Sequence, residues 1–255
     1  MRRSKTMAKI RAGKPVKMCA LGHFIPSYIR HAANAGFDCI WLDTEHRAFE
    51  RRELQALLAM FHLFDIDCML RADTKQKTRL YRYLEDGASG LMIPHVSTAE
   101  QAQELVEAVK FPPLGDRGLD GAGLDTDFVL AGGPGYTDEA NAETFLVVQI
   151  ETPLAVENVE QIAAVEGIDG LFVGPGDLGL RLSVMETEMT VESAIARVAK
   201  SAAEHGLAWG CPAVDRENLE RLHAQGATLL NYGGEFMTLK NMLDSHAADL
   251  DEVYR

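Results

Sequence analysis

The chain is expected to fold as a closed α/β barrel, the (β/α)8 or TIM barrel, forming one domain over residues 1–255. Three observations predict it. Short apolar runs bounded by Gly, Pro or polar turns alternate with segments of helical periodicity, the pattern of strand–helix units and a parallel sheet. About eight such units can be counted, the number at which a parallel sheet closes on itself. Neither GxGxxG nor GxxxxGK[ST] occurs, so nothing marks the nucleotide-binding turn of an open, doubly wound sheet, the alternative architecture. The length allows one large core or two small domains, and no repeat or low-complexity tract marks a boundary.

In chain order, a short helix over 7–12 stops at Gly13 and Pro15, and residues 17–21 form the first strand. Ser27 is placed to cap a helix closed by Gly36. Residues 39–42 are the second strand, running into Asp43, Thr44, Glu45 and His46. Residues 51–64 align Leu54, Leu57, Leu58 and Phe61 on one helical face. The third strand, 68–70, ends on Arg71, and a helix over 75–85 stops at Gly87. Residues 90–94 are the fourth strand, followed by His95; Ala102, Leu105, Val106 and Val109 repeat at helical spacing. From Phe111 to Asn141, seven Gly and three Pro break the rhythm. A substrate-side excursion with a short helix near 127–130 is expected there. Strands five and six end at Glu151 and just before Gly174, separated by one helical pattern from Leu154 to Val165, so they should lie adjacent and parallel. No helix is expected between Asp177 and Thr190. A helix over 191–204, a strand over 207–210, a helix capped by Asp215, a strand over 228–232 and an acidic helical tail complete the chain.

Composition is that of an ordinary globular protein, 47% hydrophobic and 25% charged. A net charge of −13 argues against nucleic acid and anionic membrane as partners. No apolar run approaches the roughly 20 residues of a membrane span. The first 17 residues hold seven Lys/Arg and no acid, without a following apolar stretch, so a signal peptide is not expected. Cys19, Cys39, Cys68 and Cys211 form no CxxC and are expected as buried thiols of a cytoplasmic protein.

In a barrel the C-terminal strand ends share one face, and Asp43, Glu45, His46, Arg71, His95, Gln149, Glu151 and Asp177 fall there. Glu151 and Asp177, on strands roughly 5 Å apart, repel unless they share a proton or a cation. Such hard oxygen ligands suit Mg2+ or Mn2+, which keep open positions for water and substrate. Capping of a following helix is the competing reading, and it explains Asp177 poorly. His46 stands three residues after Asp43; a carboxylate on one ring nitrogen fixes the tautomer and suits a general base. Asp-x-x-His is common, and its place at a strand end is what singles it out. Arg71 ends an apolar run, where a planar fork can hold a carboxylate or a developing oxyanion, or form a structural ion pair with Asp43 or Glu45. His95 reads as a packed or substrate-edge residue. No lysine lies at the C-terminal end of a predicted strand, so no Schiff-base lysine is expected, and carbanion chemistry would require a metal as electron sink. There is no GxSxG nucleophile elbow.

These residues sit in stretches that resemble the HpcH/HpaI aldolase family of metal-dependent class II pyruvate aldolases, which includes 4-hydroxy-2-oxoheptanedioate and 2-dehydro-3-deoxyglucarate aldolases. The matching stretches are Leu42-Asp43-Thr44-Glu45-His46, Leu70-Arg71, Ile93-Pro94, Phe111 through Gly118, Val148-Gln149-Ile150-Glu151-Thr152 and Gly174-Pro175-Gly176-Asp177-Leu178. The match runs in one order from about residue 8 to 205. The resemblance implies a barrel whose C-terminal helix is exchanged between subunits of a hexamer, a trimer of dimers. It implies a divalent metal, Mg2+ or Mn2+ before Co2+ or Zn2+, on Glu151 and Asp177. It implies pyruvate chelating that metal, with its carboxylate on the backbone N–H groups of Gly176 and Asp177. Arg71 would take the ketone or enolate oxygen. His46, steadied by Asp43, would move protons, Gln149 would position substrate, and Glu45 would support from behind. The implied reaction is reversible cleavage of 4-hydroxy-2-oxo acids to an aldehyde and a metal-bound pyruvate enolate. Oxaloacetate decarboxylation, a CoA-ester lyase and a non-catalytic 2-oxo acid binder are the alternatives. Leu119 through Gly123, Trp209 through Pro212 and Asn231 through Glu235 depart from the family pattern, so the resemblance leaves the aldehyde open.

Overall fold

The computed structural model describes residues 1–255. Eight parallel strands close in sequence order: β1 (Val16–Leu21), β2 (Cys39–Asp43), β3 (Asp67–Arg71), β4 (Gly90–Ile93), β5 (Phe145–Ile150), β6 (Gly170–Val173), β7 (Ala208–Ala213) and β8 (Leu229–Gly234). Twelve helices surround or cap them. They are α1 (Lys5–Arg11), α2 (Pro26–Asn34), α3 (Arg51–Leu63), α4 (Lys77–Glu85), α5 (Ala99–Val109) and α6 (Tyr136–Glu143), then α7 (Pro153–Glu157), α8 (Val159–Ala163), α9 (Pro175–Leu182), α10 (Val191–His205), α11 (Arg216–Ala224) and α12 (Glu235–Val253). Strands read as near-continuous apolar runs because both faces are covered. One face packs inside the barrel, where Met18, Met69, Met92, Phe145, Val147, Phe172 and Leu229 form a cluster. The other face, with residues such as Ile40, Leu70, Val148 and Leu171, packs against the helices. The registers set the mouth: Asp43 pairs with Arg71, and Gln149 with Phe172 on the expected parallel neighbour.

Four local expectations are corrected. Pro26, not Ser27, opens α2, because its ring already has a helical φ and Ile25 takes the cap position. No helix covers 127–130, where Asp127, Phe128 and Val129 have positive φ; a 3-10 turn at Leu124–Thr126 and α6 are found instead. The segment from 154 to 165 is two short helices that meet at Asn158. Asp177 lies in the first turn of α9, a helix that Gly176 and Gly179 obscured in the sequence.

The basic N-terminus closes the bottom of the barrel. Met7 joins the interior cluster. Buried Asp67 accepts from Ser4 Oγ at 2.8 Å, from the Thr6 N–H at 2.6 Å and from Arg2. Glu143 accepts from the Ser4 N–H at 2.8 Å, with Arg3 and Arg11 beside it at 3.2 and 3.4 Å. The positive run thus neutralises carboxylates that would otherwise be buried unpaired. All four cysteines are buried and free. At the other end of the chain α12 buries only Glu235 and exposes Phe236, Met237, Leu239, Met242, Leu243 and Leu250. Outside β1 and β8, an apolar groove of about 360 Å3 lies between Lys17, Phe37, Leu219, His223, Leu230 and Tyr232. No helix is long and apolar enough to cross a membrane.

Candidate active site

Arg71 is the centre of the mouth. It ends β3 with its side chain pointing inward, and its guanidinium is buried. Nε and one terminal nitrogen donate to Asp43 at 3.0 and 2.8 Å. The other terminal nitrogen lies 3.1 Å from Glu45. The guanidinium stacks 4.7 Å from the Trp41 ring, which meets Phe172 edge-on at 5.6 Å. Both structural ion pairs considered for Arg71 are therefore present. Two of its five N–H groups serve Asp43, which leaves donors for a ligand. Burial alone would raise the Asp43 carboxyl, but the Arg71 fork outweighs it and holds the group below the usual carboxylate range.

Asp43 does not hold the His46 ring. Its Oδ1 accepts the backbone N–H groups of Glu45 and His46 at 3.1 and 3.3 Å, the turn that short acidic side chains favour. The half-exposed His46 ring instead places Nε2 3.5 Å from Glu45 Oε2. An Asp-x-x-His spacing favours this backbone turn over a ring contact.

Glu151, 1% exposed, follows β5. Its Oε1 accepts the His95 N–H at 2.7 Å and lies 2.9 Å from His95 Nδ1. His95 Nε2 is 3.1 Å from Glu45 Oε1. Glu45, His95 and Glu151 thus bring three potential ligand atoms within 4.8 Å of one another. Burial pushes the Glu151 carboxyl up; His95 opposes this, while the charges of Glu45 and Asp177 add to it. Asp177 itself pairs with Arg181 at 2.7 Å and stands outside that group of three. Gln149 is buried beside Glu151, and its Oε1 has no partner. A Cβ on Gly174 would come within 2.7 Å of both Gln149 Nε2 and Glu151 Oε2, so only glycine leaves this cradle open. The buried carboxylate, the open cradle and the orphaned amide oxygen fit a divalent cation.

His95, expected as a packed or substrate-edge residue, instead bridges Glu45 and Glu151 from a backbone at φ +55 that no spacing rule predicts. Two participants escaped the sequence. Gly174 is revealed only by close approach. Lys75 corrects the lysine census: its Nζ donates to the His95 carbonyl at 2.6 Å, at the rim of the mouth. Burial lowers its pKa, and the charge of Glu151 opposes this.

A closed parallel barrel with a carboxylate–imidazole–guanidinium group at its mouth defines an enzyme of the α/β barrel class. The chain belongs to the HpcH/HpaI aldolase/citrate lyase family, whose model matches residues 18–241, and is a carbon–carbon lyase. It is 32% identical over 249 residues to a hydroxypyruvate/pyruvate aldolase of Deinococcus radiodurans, covering 95% of this chain and 88% of that protein. It is 34% identical over 228 residues to a 2-keto-3-deoxy-L-rhamnonate aldolase of Salmonella paratyphi B, covering 87% and 84%. The crystal structure of an HpcH/HpaI aldolase from Desulfitobacterium hafniense superposes with a TM-score of 0.90 at 31% identity, over 98% of this chain and 97% of the other.

Proposed function

We propose that this single-domain barrel is a metal-dependent class II pyruvate aldolase that cleaves 4-hydroxy-2-oxo acids to pyruvate and an aldehyde. The observation that carries the reading is the link, through Glu45 and His95, between a buried arginine with free donors and a buried carboxylate in an open cradle. Both aldolase relatives are named for 2-oxo acids, one of them pyruvate itself.

Glu151 and Asp177 would hold the cation, Mg2+ or Mn2+ on an all-oxygen set, with Co2+ and Zn2+ as substitutes. Asp177 is free to turn inward because its pair with Arg181 is half exposed, and such i,i+4 pairs contribute only about 0.3–0.5 kcal/mol. The ion would supply a Lewis acid for the 2-oxo group. The first-turn N–H groups of Gly176 and Asp177 have no intrahelical acceptor and suit the substrate carboxylate. Gln149 turns its unpartnered amide to substrate or water. His46, steadied by Glu45, draws the proton from the 4-hydroxyl. The C3–C4 bond breaks, its electron pair moves toward the 2-oxo oxygen as an enolate, and the aldehyde leaves. Arg71 meets the charge on that oxygen with donors already ordered by Asp43 and Trp41. Protonation at C3 then gives pyruvate.

The exposed apolar side of α12 and the groove outside β1 and β8 support exchange of this helix between subunits of a hexamer. The four free thiols fit a cytoplasmic setting. Pyruvate release from several 4-hydroxy-2-oxo acids, measured after chelation and metal add-back, tests the activity. Activity should vanish and return with the metal; full activity after chelation sinks the reading. Arg71→Ala should lose about 100- to 1,000-fold in kcat/KM. Release of pyruvate from oxaloacetate alone would favour decarboxylation instead.

A further inference from the structure

His95 has no task in the chemistry above, yet its ring joins the Glu151 side of the site to Glu45. Its N–H and Nδ1 converge on one oxygen of Glu151, at 2.7 and 2.9 Å, and its Nε2 reaches Glu45 at 3.1 Å. Neither ring contact has the alignment of a hydrogen bond, whereas the backbone N–H contact does. The peptide is fixed on both sides, by Glu151 on the N–H and by Lys75 on the carbonyl at 2.6 Å. We propose that His95 supplies a nitrogen ligand to the cation held at Glu151, which makes the site a mixed imidazole–carboxylate centre.

This inference rests on the reading of Glu151 as a metal ligand and goes beyond it in the donor set. Neighbouring ligands on an octahedral ion with bonds of about 2.1 Å lie roughly 3 Å apart. The 2.9 Å between His95 Nδ1 and Glu151 Oε1 already has the length of such an edge. The same ring could serve only as a counter-charge between two carboxylates. Against that, Glu45 already has Arg71 at 3.1 Å as its cation. Imidazole favours later transition ions, whereas carboxylate and water suit Mg2+ equally well. The mixed set therefore binds Co2+ and Zn2+ more tightly relative to Mg2+ than an all-oxygen site does, and His95 sets that preference.

The test begins with the unmodified protein loaded with Mn2+ and observed by electron spin echo envelope modulation. The expected spectrum shows a directly bound nitrogen that survives His46→Ala and disappears in His95→Phe. Uniform 15N-histidine labelling should replace the 14N modulation, which identifies the nitrogen without any substitution. In calorimetric titrations His95→Phe should weaken Co2+ binding about 10- to 100-fold and Mg2+ binding far less. Stoichiometric Mn2+ without a nitrogen signal overturns the proposal while leaving the metal at Glu151. A nitrogen lost in His46→Ala overturns it too. Absence of stoichiometric Mn2+ binding overturns both readings.

Discussion

At the residue scale, Gly174 shows how little room the site allows. Alanine there places a methyl group 2.7 Å from Gln149 Nε2 and Glu151 Oε2, so one of them must leave its position. Gly174→Ala should lower metal affinity about 10- to 100-fold, read by calorimetry, with the thermal midpoint little changed. Wild-type affinity in this variant would show that the cradle is not used. Arg71, Glu45 and Glu151 were legible in the sequence because each is a charge at the end of an apolar run. The contact between His46 and Glu45 was not, since a three-residue spacing does not determine which atom of Asp43 is satisfied, or by what. His95 and Lys75 come from loops, whose backbone conformation depends on packing contributed by distant elements.

Among the elements, α1 tests whether the basic N-terminus is structural. Burial would raise the Glu143 carboxyl, but the Ser4 N–H, Arg3 and Arg11 hold it below its ordinary value. A carboxyl depressed in the folded state stabilises fully above its unfolded pKa, near 4.3, and ceases to do so as pH falls through the lower folded value. Glu143→Gln should therefore cost about 1–3 kcal/mol at neutral pH, with the gap to wild type closing below about pH 4. Thermal unfolding across pH 3–8 measures it, and a gap that does not narrow as pH falls refutes the assignment. The eight strands and most helices were readable because apolar period and Gly stops act locally, as α5 and its Ala102, Leu105, Val106 and Val109 show. α6 and α9 were not: α6 has little apolar face, and α9 carries two glycines in its interior.

For the whole molecule, exchange of α12 is the main expectation. Ending the chain after Thr238 keeps Glu235, whose carboxylate accepts the Gly22 N–H at 2.5 Å, and removes most of the apolar helix. Light scattering should find the full chain as an oligomer and the shortened chain as a monomer with its groove exposed; equal masses would refute exchange. Closure of the sheet was legible from the count of strand–helix units; that α12 leaves its own apolar residues exposed was not legible from its pattern alone. An amphipathic pattern states that a face must be covered and leaves open which chain covers it.

The closed lower end also governs the order of events in turnover. Methionine and phenylalanine side chains fill the barrel beneath the site, and α1 shuts the far end, so the mouth is the only door. On the proposed reaction, pyruvate lies against the floor, on Arg71 and the start of α9, and the aldehyde lies between it and solvent. The aldehyde must then depart first. Product inhibition should show this sequence: pyruvate competitive with the hydroxy-oxo acid, and the aldehyde noncompetitive.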